Sequence, residues 1–341
     1  MNERVLMRHR RALFLPLILT GLAAAPAHAQ DDFYKGKTLN IVVGFTPGGG
    51  YDVNARAVSR YIGKYIPGNP NVIVQNMPGA GSLTSVRYLD ATAPKDGTVI
   101  TVFNPGLVTQ SIVAPEKVNV DFRKLSWVGV VTTDFRVCYG FGPNGVKNWA
   151  DMMSRKEFIL GSTAKGAGNY INGATLKYVF DAPVRQIIGF PGSAEQRIAI
   201  ERGELDGDCG SLSSIPVAWI NERKAHPFVR FLERKPPDMP GSAIFINTFA
   251  KTEEQRQLTS VLNAADEIGR PFIMSKQVPA ERLAILRNAF SATMKDPAFL
   301  AEMEKQQLPV YPLRGEEAEA VVVKMAGVPS AIAAKAKAIY D

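Results

Sequence analysis

Residues 39–52 read Leu39-Asn40-Ile41-Val42-Val43-Gly44-Phe45-Thr46-Pro47-Gly48-Gly49-Gly50-Tyr51-Asp52. An apolar run of strand length, 39–45, ends at a Pro-Gly-Gly-Gly turn. Val58, Tyr61, Ile62 and Tyr65 then recur at i, i+3, i+4 and i+7 on a helix beginning near Asp52. A buried strand passing through a tight glycine turn into a helix opens a βαβ unit. The pattern repeats with a strand over 71–75, a helix over 82–91 and a strand over 98–103. Such alternation predicts an α/β domain with a mainly parallel sheet flanked by helices.

The alternation restarts with strands over 137–141, 158–161, 186–188, 205–209 and 229–232, and helices over 149–153, 170–180 and 193–202. Ser193 and Gln196 have capping-box spacing for the last of these helices. Lys235-Pro236-Pro237-Asp238-Met239-Pro240-Gly241 then breaks the chain and reads as a crossing between domains. From Glu253 onward the pattern is largely helical, with Asp296-Pro297 opening one helix, and these helices are expected to return to the first domain. The expected organisation is a signal segment over 1–29, a first domain of 30–133 plus 240–341, and a second of 134–239. Hinges fall near 132–136 and 232–240.

Composition agrees with two soluble domains: 341 residues, 46% hydrophobic and 21% charged. Bulk disorder and a multi-span membrane protein are excluded on that balance. The net charge of +8 falls to +5 once the four arginines and one glutamate of residues 1–29 are set aside. The remaining basic residues are scattered, with no block or aromatic interleaving, so no nucleic-acid partner is expected.

Outside residues 1–29 the chain has one histidine, His226, and two cysteines, Cys138 and Cys209. These are too few for a usual zinc site, and no G-x-S-x-G elbow occurs. No catalytic residue, metal or cofactor is therefore expected. Whether the two cysteines pair or remain buried thiols is open from sequence.

Residues 1–29 carry a basic start, Arg8-His9-Arg10-Arg11, an apolar middle over 12–25 and Ala27-His28-Ala29. This reads as a secretory signal cleaved after Ala29, releasing the product into an oxidising space such as a periplasm. The apolar run holds Pro16 and is shorter than the ~20 residues a bilayer needs, which argues against an anchor.

Three strand-to-helix loops are rich in small residues: Pro47–Asp52, Asn76–Ser82 and Gly161–Asn169. Glycines there leave backbone N–H groups free to face an anion at the positive end of a helix. The first lacks the Gly-Lys-Ser/Thr ending of a nucleotide loop, and in the third Ala167 stands where the lysine would be. All three would lie at the carboxyl ends of parallel strands, where open α/β sheets bind ligands.

The stretches 39–52 and Gln75-Asn76-Met77-Pro78-Gly79-Ala80-Gly81 resemble the Bug-type solute-binding proteins of tripartite tricarboxylate transporters. So do Asp96-Gly97, 161–169, 189–193, Gly203-Glu204-Leu205-Asp206 and Val278-Pro279-Ala280. The resemblance implies a type II periplasmic-binding-protein fold that closes on an organic acid like a Venus flytrap. It implies that one carboxylate is held by the loop carrying Phe45, Gly48, Gly49, Gly50 and Asp52 and by Pro78, Gly79, Ala80, Gly81 and Ser82. Ser162, Thr163, Gly166 and Asn169, with Gly192 of the turn Phe190-Pro191-Gly192, would hold the rest. Tyr51, where the family has a small Thr or Ser, and Phe190-Pro191-Gly192 depart from the pattern and imply a differently sized pocket.

Arg136 opens the second domain and is a candidate to pair with a ligand carboxylate; its bland reading is an interdomain arginine. Asp208 is a candidate for an amino group on the ligand or for capping a turn. Trp127 and Trp149 read as packing. The expected partners are a small organic acid, whether a di- or tricarboxylate, an aromatic carboxylate or an amino acid, and membrane transporter subunits. The alternatives are a secreted hydrolase or lyase using Asp52 or Asp208 as general base, and a ligand sensor for a membrane kinase.

Overall fold

The structure, a computed structural model, describes Met1, residues 32–190 and residues 192–340. The signal segment with its cleavage point and Pro191 lie outside the described residues. The first run of elements is β1 (Thr38–Val43), α1 (Gly50–Ile62), β2 (Asn71–Asn76), α2 (Leu83–Arg87), β3 (Val99–Val102), α3 (Gly106–Val113), α4 (Pro115–Val118) and β4 (Leu125–Val130). A second run follows: β5 (Arg136–Phe141), α5 (Trp149–Ser154), β6 (Phe158–Ser162), α6 (Gly168–Phe180), β7 (Val184–Ile188), α7 (Ser193–Glu201), β8 (Gly207–Ser211), α8 (Val217–Asn221), β9 (Ala225–Arg230) and β10 (Ile244–Phe245). The last comprises α9 (Glu253–Asn263), β11 (Pro271–Ser275), α10 (Ala280–Thr293), α11 (Pro297–Lys305), β12 (Leu313–Arg314), α12 (Gly315–Ala326) and α13 (Ser330–Tyr340).

These strands form two six-stranded sheets, ordered β12-β4-β11-β3-β1-β2 and β10-β9-β5-β8-β6-β7, each the centre of a lobe. The α/β two-lobe class is the expected one, with both sheets mixed. In the first, β1 is parallel to β2 and β3, while β11 runs antiparallel between β3 and β4. The reading of 253 onward as largely helical passes over β11, whose five residues are all buried. In the second sheet β6 is parallel to β7 and β8, and β5 is antiparallel to β8 and β9.

Helices cover both faces of each sheet, which is why the central strands of the first sheet, β1, β3 and β11, read as largely apolar runs. One face of the first sheet packs Ile41, Val43, Ile100 and Phe272 against Ala55 and Val58 of α1, Phe290 of α10 and Phe299 of α11. Its other face buries Phe103 and Trp127 under α3 and α12. In the second lobe Phe158, Leu160 and Phe228 pack on α6, and Tyr139 and Trp219 lie on the opposite side. Trp149 stacks on Phe249, as its packing role predicts.

Among the described residues the chain passes between the lobes three times: through 131–135, through 264–270 and through 327–329. The first two passages run side by side. Val131 N donates to Arg270 O (3.1 Å), Arg270 N to Thr132 O (3.2 Å) and Asp134 N to Asp266 O (2.8 Å). The crossing expected at 232–240 is not one, because β10 pairs beyond it with β9, Ile244 opposite Val229. Helices α9 and α13 then pack on α6, and Leu258, Leu262, Ile332, Ala336 and Ile339 complete the second lobe's core. Residues 240–341 therefore divide between both lobes. Burying an amphipathic helix is a matter of which apolar face is nearest, and local periodicity does not record that.

Ser193 does not cap α7. The N-cap is Gly192, and Gln196 instead accepts from Asn169 Nδ2 at 3.4 Å. Cys138 and Cys209 stand directly opposite in the β5–β8 register, both fully buried, and form a disulfide.

Candidate functional site

The first glycine loop is shaped by Asp52. Its buried carboxylate accepts from Gly48 N (2.8 Å), Arg56 Nε (2.9 Å) and Asn76 Nδ2 (2.8 Å), and the same Asn76 amide donates to Phe45 O. Burial works against ionisation, but the hydrogen bonds from Arg56, Gly48 and Asn76 outweigh it and hold this carboxyl below the usual range. Asp52, expected to face the ligand, is spent on the loop, as is the Gly48 amide. Gly49 and Gly50 stay exposed at the start of α1, whose N-cap Gly49 offers no side-chain hydrogen bond.

The second loop rests against the first. A β-carbon on Gly44 would lie 2.2 Å from Ser82 Cβ, so only glycine fits there. Gly79, Ala80, Gly81 and Ser82 all have positive φ (144°, 45°, 61° and 79°), at a cost of about 1–2 kcal/mol for each non-glycine residue. Ser82 Oγ, expected to meet the ligand, accepts from Asn104 N at 2.8 Å and ties this coil to the end of β3. Pro78, Gly79, Ala80 and Gly81 remain exposed.

In the second lobe Ser162 is buried and donates to Gln186 Oε1 at 2.6 Å, while its carbonyl accepts from Gly189 N and Phe190 N. Asn169 is also buried, with its amide oxygen accepting from Tyr170 N. These two candidates thus build the loop rather than face out of it, because their short polar side chains satisfy nearby buried groups first. Thr163 is half-buried. Gly166, at φ 80°, meets the first lobe: a β-carbon on Gly106 would lie 2.8 Å from its carbonyl oxygen. Helices α6 and α7 begin at Ala167 and Gly192 with no side-chain cap, whereas Asn148, Thr252 and Asp296 cap α5, α9 and α11. The N-cap residues of α1, α6 and α7 thus offer no capping side chain, and in the first turn of α6 the Tyr170 amide is met by a neighbouring side chain, that of Asn169.

Behind the loops the two adjacent crossings hold a buried charge cluster. Arg136 Nη2 donates to Asp134 Oδ2 at 2.6 Å and Arg136 Nε lies 3.0 Å from Asp266 Oδ1, while Arg270 Nη1 reaches Asp134 Oδ2 at 3.3 Å. Ser211 Oγ donates to Asp134 Oδ1. The Arg136 guanidinium occupies the space beside Gly168, at the start of α6. Its expected role toward a ligand carboxylate is taken by these two aspartates, which offset a cation held at the positive end of a helix. Burial pushes the Asp266 carboxyl up to about 7; Arg136 pulls it down, and the charge of Asp134 adds to the rise. Asp134 stays ionised below its ordinary range, because Arg136 and Arg270 together overcome its burial.

Asp208 lies on β8 opposite Tyr139, and burial pushes it up to about 6 against the pull of Arg136. Its Oδ1 has no hydrogen-bond partner among the described residues. Tyr51 is half-buried: its ring stacks on Phe45 (4.5 Å, 8°) and lies 4.6 Å from the Arg270 guanidinium carbon. Arg270, Asp134 and Asp266 were not singled out from sequence. The i, i+2 spacing of Asp134 and Arg136 at the start of β5, and Arg270 just before Pro271, are the signals they left. A cavity of about 560 Å³ opens between the lobes beside Asp134, Ser211 and Arg270. Among the described residues no helix is long and apolar enough to cross a membrane, and no cluster of His, Cys, Asp and Glu is arranged to hold a metal.

No family model matches the chain. A curated relative, the UPF0065 protein in the gbd 5' region of Cupriavidus necator, is 39% identical over 85 residues, a quarter of each chain. The match thus spans about a quarter of that relative's length. Among solved structures the periplasmic binding protein BugD is 18% identical with a TM-score of 0.67, over 86% of this chain and 95% of BugD. A TctC solute binding protein from Polaromonas is 17% identical with a TM-score of 0.64, over 88% and 98%. MatC of Rhodopseudomonas palustris, solved with bound malate, is 16% identical with a TM-score of 0.66, over 89% and 99%. The resemblance carried by the glycine loops thus extends to the architecture as a whole: the chain has the two-lobed fold of the TctC and BugD periplasmic solute-binding proteins.

Proposed function

We propose that this chain is a periplasmic solute-binding receptor that captures a small organic carboxylate between its lobes and hands it to the membrane subunits of a tripartite tricarboxylate-type transporter. The observation that carries this reading is the set of three helices, α1, α6 and α7, that begin at glycine-rich loops without a side-chain cap. Uncapped first turns suit an anion, and backbone amides release it unchanged. Asp134 in one crossing, Arg136 at the start of β5 that follows it, and Asp266 and Arg270 in the other crossing offer the lobes a shared pivot about which closure can turn. The malate in MatC, a protein of the same fold, adds support for an organic-acid ligand. The depressed carboxyl of Asp52 speaks against a general base there, since a base poised for neutral pH needs a raised one.

Titration calorimetry across mono-, di- and tricarboxylates, aromatic acids and amino acids should find a saturable ligand, with scattering showing a more compact bound form. Absence of any saturable ligand would overturn the reading. Co-purification with transporter membrane subunits supports delivery; co-purification with a sensor kinase in their place overturns it.

A further inference from the structure

Arg270 precedes the first residue of β11, where the chain re-enters the first lobe, and it is nine-tenths buried. Its guanidinium has two edges. Nη1 is committed, donating to Gly269 O at 2.9 Å and to Asp134 at 3.3 Å. The other edge faces the first residue of α1: a β-carbon on Gly50 would lie 3.4 Å from Nη2 and 3.9 Å from Nε. Nε is buried and has no hydrogen-bond partner among the described residues. A planar cation with an unpartnered Nε is thus fixed against the uncapped amino end of a thirteen-residue helix, its guanidinium carbon 4.6 Å from the centre of the Tyr51 ring. Guanidinium and helix end repel each other and attract the same thing, a carboxylate that accepts from both.

The same side chain lines the 560 Å³ cavity. Phe135, Ile215, Leu308 and Tyr311 contribute apolar wall, and Val217 and Leu300 of opposite lobes stand exposed at 46% and 39%. The other charged residues lining it are Asp134, Asp238 and Glu304, all acidic. A second carboxylate on the ligand would meet charge of its own sign, while a hydrocarbon body would cover the exposed apolar surface.

We infer that Arg270 and the amino end of α1 hold the single carboxylate of a monocarboxylic acid whose aliphatic or aromatic body fills this cavity. The inference rests on the reading of the cleft as a carboxylate-capture site and narrows it to one acid group.

The test is calorimetry on the full chain with butanoate, hexanoate, octanoate, benzoate and phenylacetate against malate, adipate and citrate. Monoacids should bind at least tenfold more tightly than the polyacids, gaining up to about fourfold per added CH₂. Arg270→Lys keeps the charge but loses the fork, and should weaken the best monoacid at least tenfold. Leu300→Glu, an exposed position at the cavity mouth, should weaken it by a similar factor while leaving the melting temperature within 2 °C, and it decides the matter if Arg270→Lys fails to fold. Tighter binding of malate or adipate than of every monoacid, or Arg270→Lys binding like the parent, overturns the inference and leaves the receptor reading standing. No binding by any acid overturns both.

Discussion

Replacing both Cys138 and Cys209 by alanine measures what the crosslink contributes to the second lobe. The two residues are 71 positions apart, and the covalent loop they close encloses β6, α6, β7 and α7, hence the small-residue loops that lead into α6 and α7. Opening a loop of that length frees about 4 kcal/mol of denatured-chain entropy on the chain-entropy model. For a cooperative unit of 150–250 residues each kcal/mol moves the midpoint by about 2–4 °C, so the variant should melt roughly 8–16 °C lower. Affinity should stay within about threefold, because five registered residue pairs between β5 and β8 hold the strands without the link. Calorimetric melting and urea unfolding of parent and variant, with ligand titration on each, read both quantities. A midpoint loss under about 2 °C would refute the entropic argument. A large loss of affinity at unchanged stability would show that the link positions the site rather than the denatured ensemble.

Asp266 is raised to about 7, and Asp208 to about 6, so the folded chain holds protons that the unfolded chain has released. Their contribution to stability is complete below pH ~4 and declines as pH rises toward 7. Asp266→Asn should flatten that decline in urea unfolding measured across the range; an unchanged slope refutes the assignment. Gly44→Ala drives a β-carbon into Ser82 and should cost at least the upper end of the ~1–3 kcal/mol typical of overpacking, read as a lower urea midpoint. A neutral Gly44→Ala would mean the two first-lobe loops do not touch.

The strand, glycine turn and helix of residues 39–62 were legible because their cause is local: an apolar run, a turn that needs glycine, and a 3.6-residue period. β11 was hidden because Phe272-Ile273-Met274 has no period to separate it from a buried helix segment. The polar candidates were legible as types but not as orientations. Asp52, Ser82, Ser162 and Asn169 turn inward to satisfy their own loops, and nothing in the spacing separates a loop-building side chain from one that meets a ligand. Arg270 was missed for the same reason as β11, since it reaches the mouth only through the strand that follows it. The disulfide depends on an antiparallel register that joins residues far apart in sequence.

The placement of α13 bears on how the molecule is made. Its Ile332, Ala336, Ile339 and Tyr340 sit among the core residues of a lobe whose sheet begins some two hundred positions earlier. The first lobe likewise waits for β11 and β12, which follow the entire second sheet. Each lobe thus gains late elements only after most of the other has been laid down in the chain, so neither half is assembled from one uninterrupted stretch of sequence.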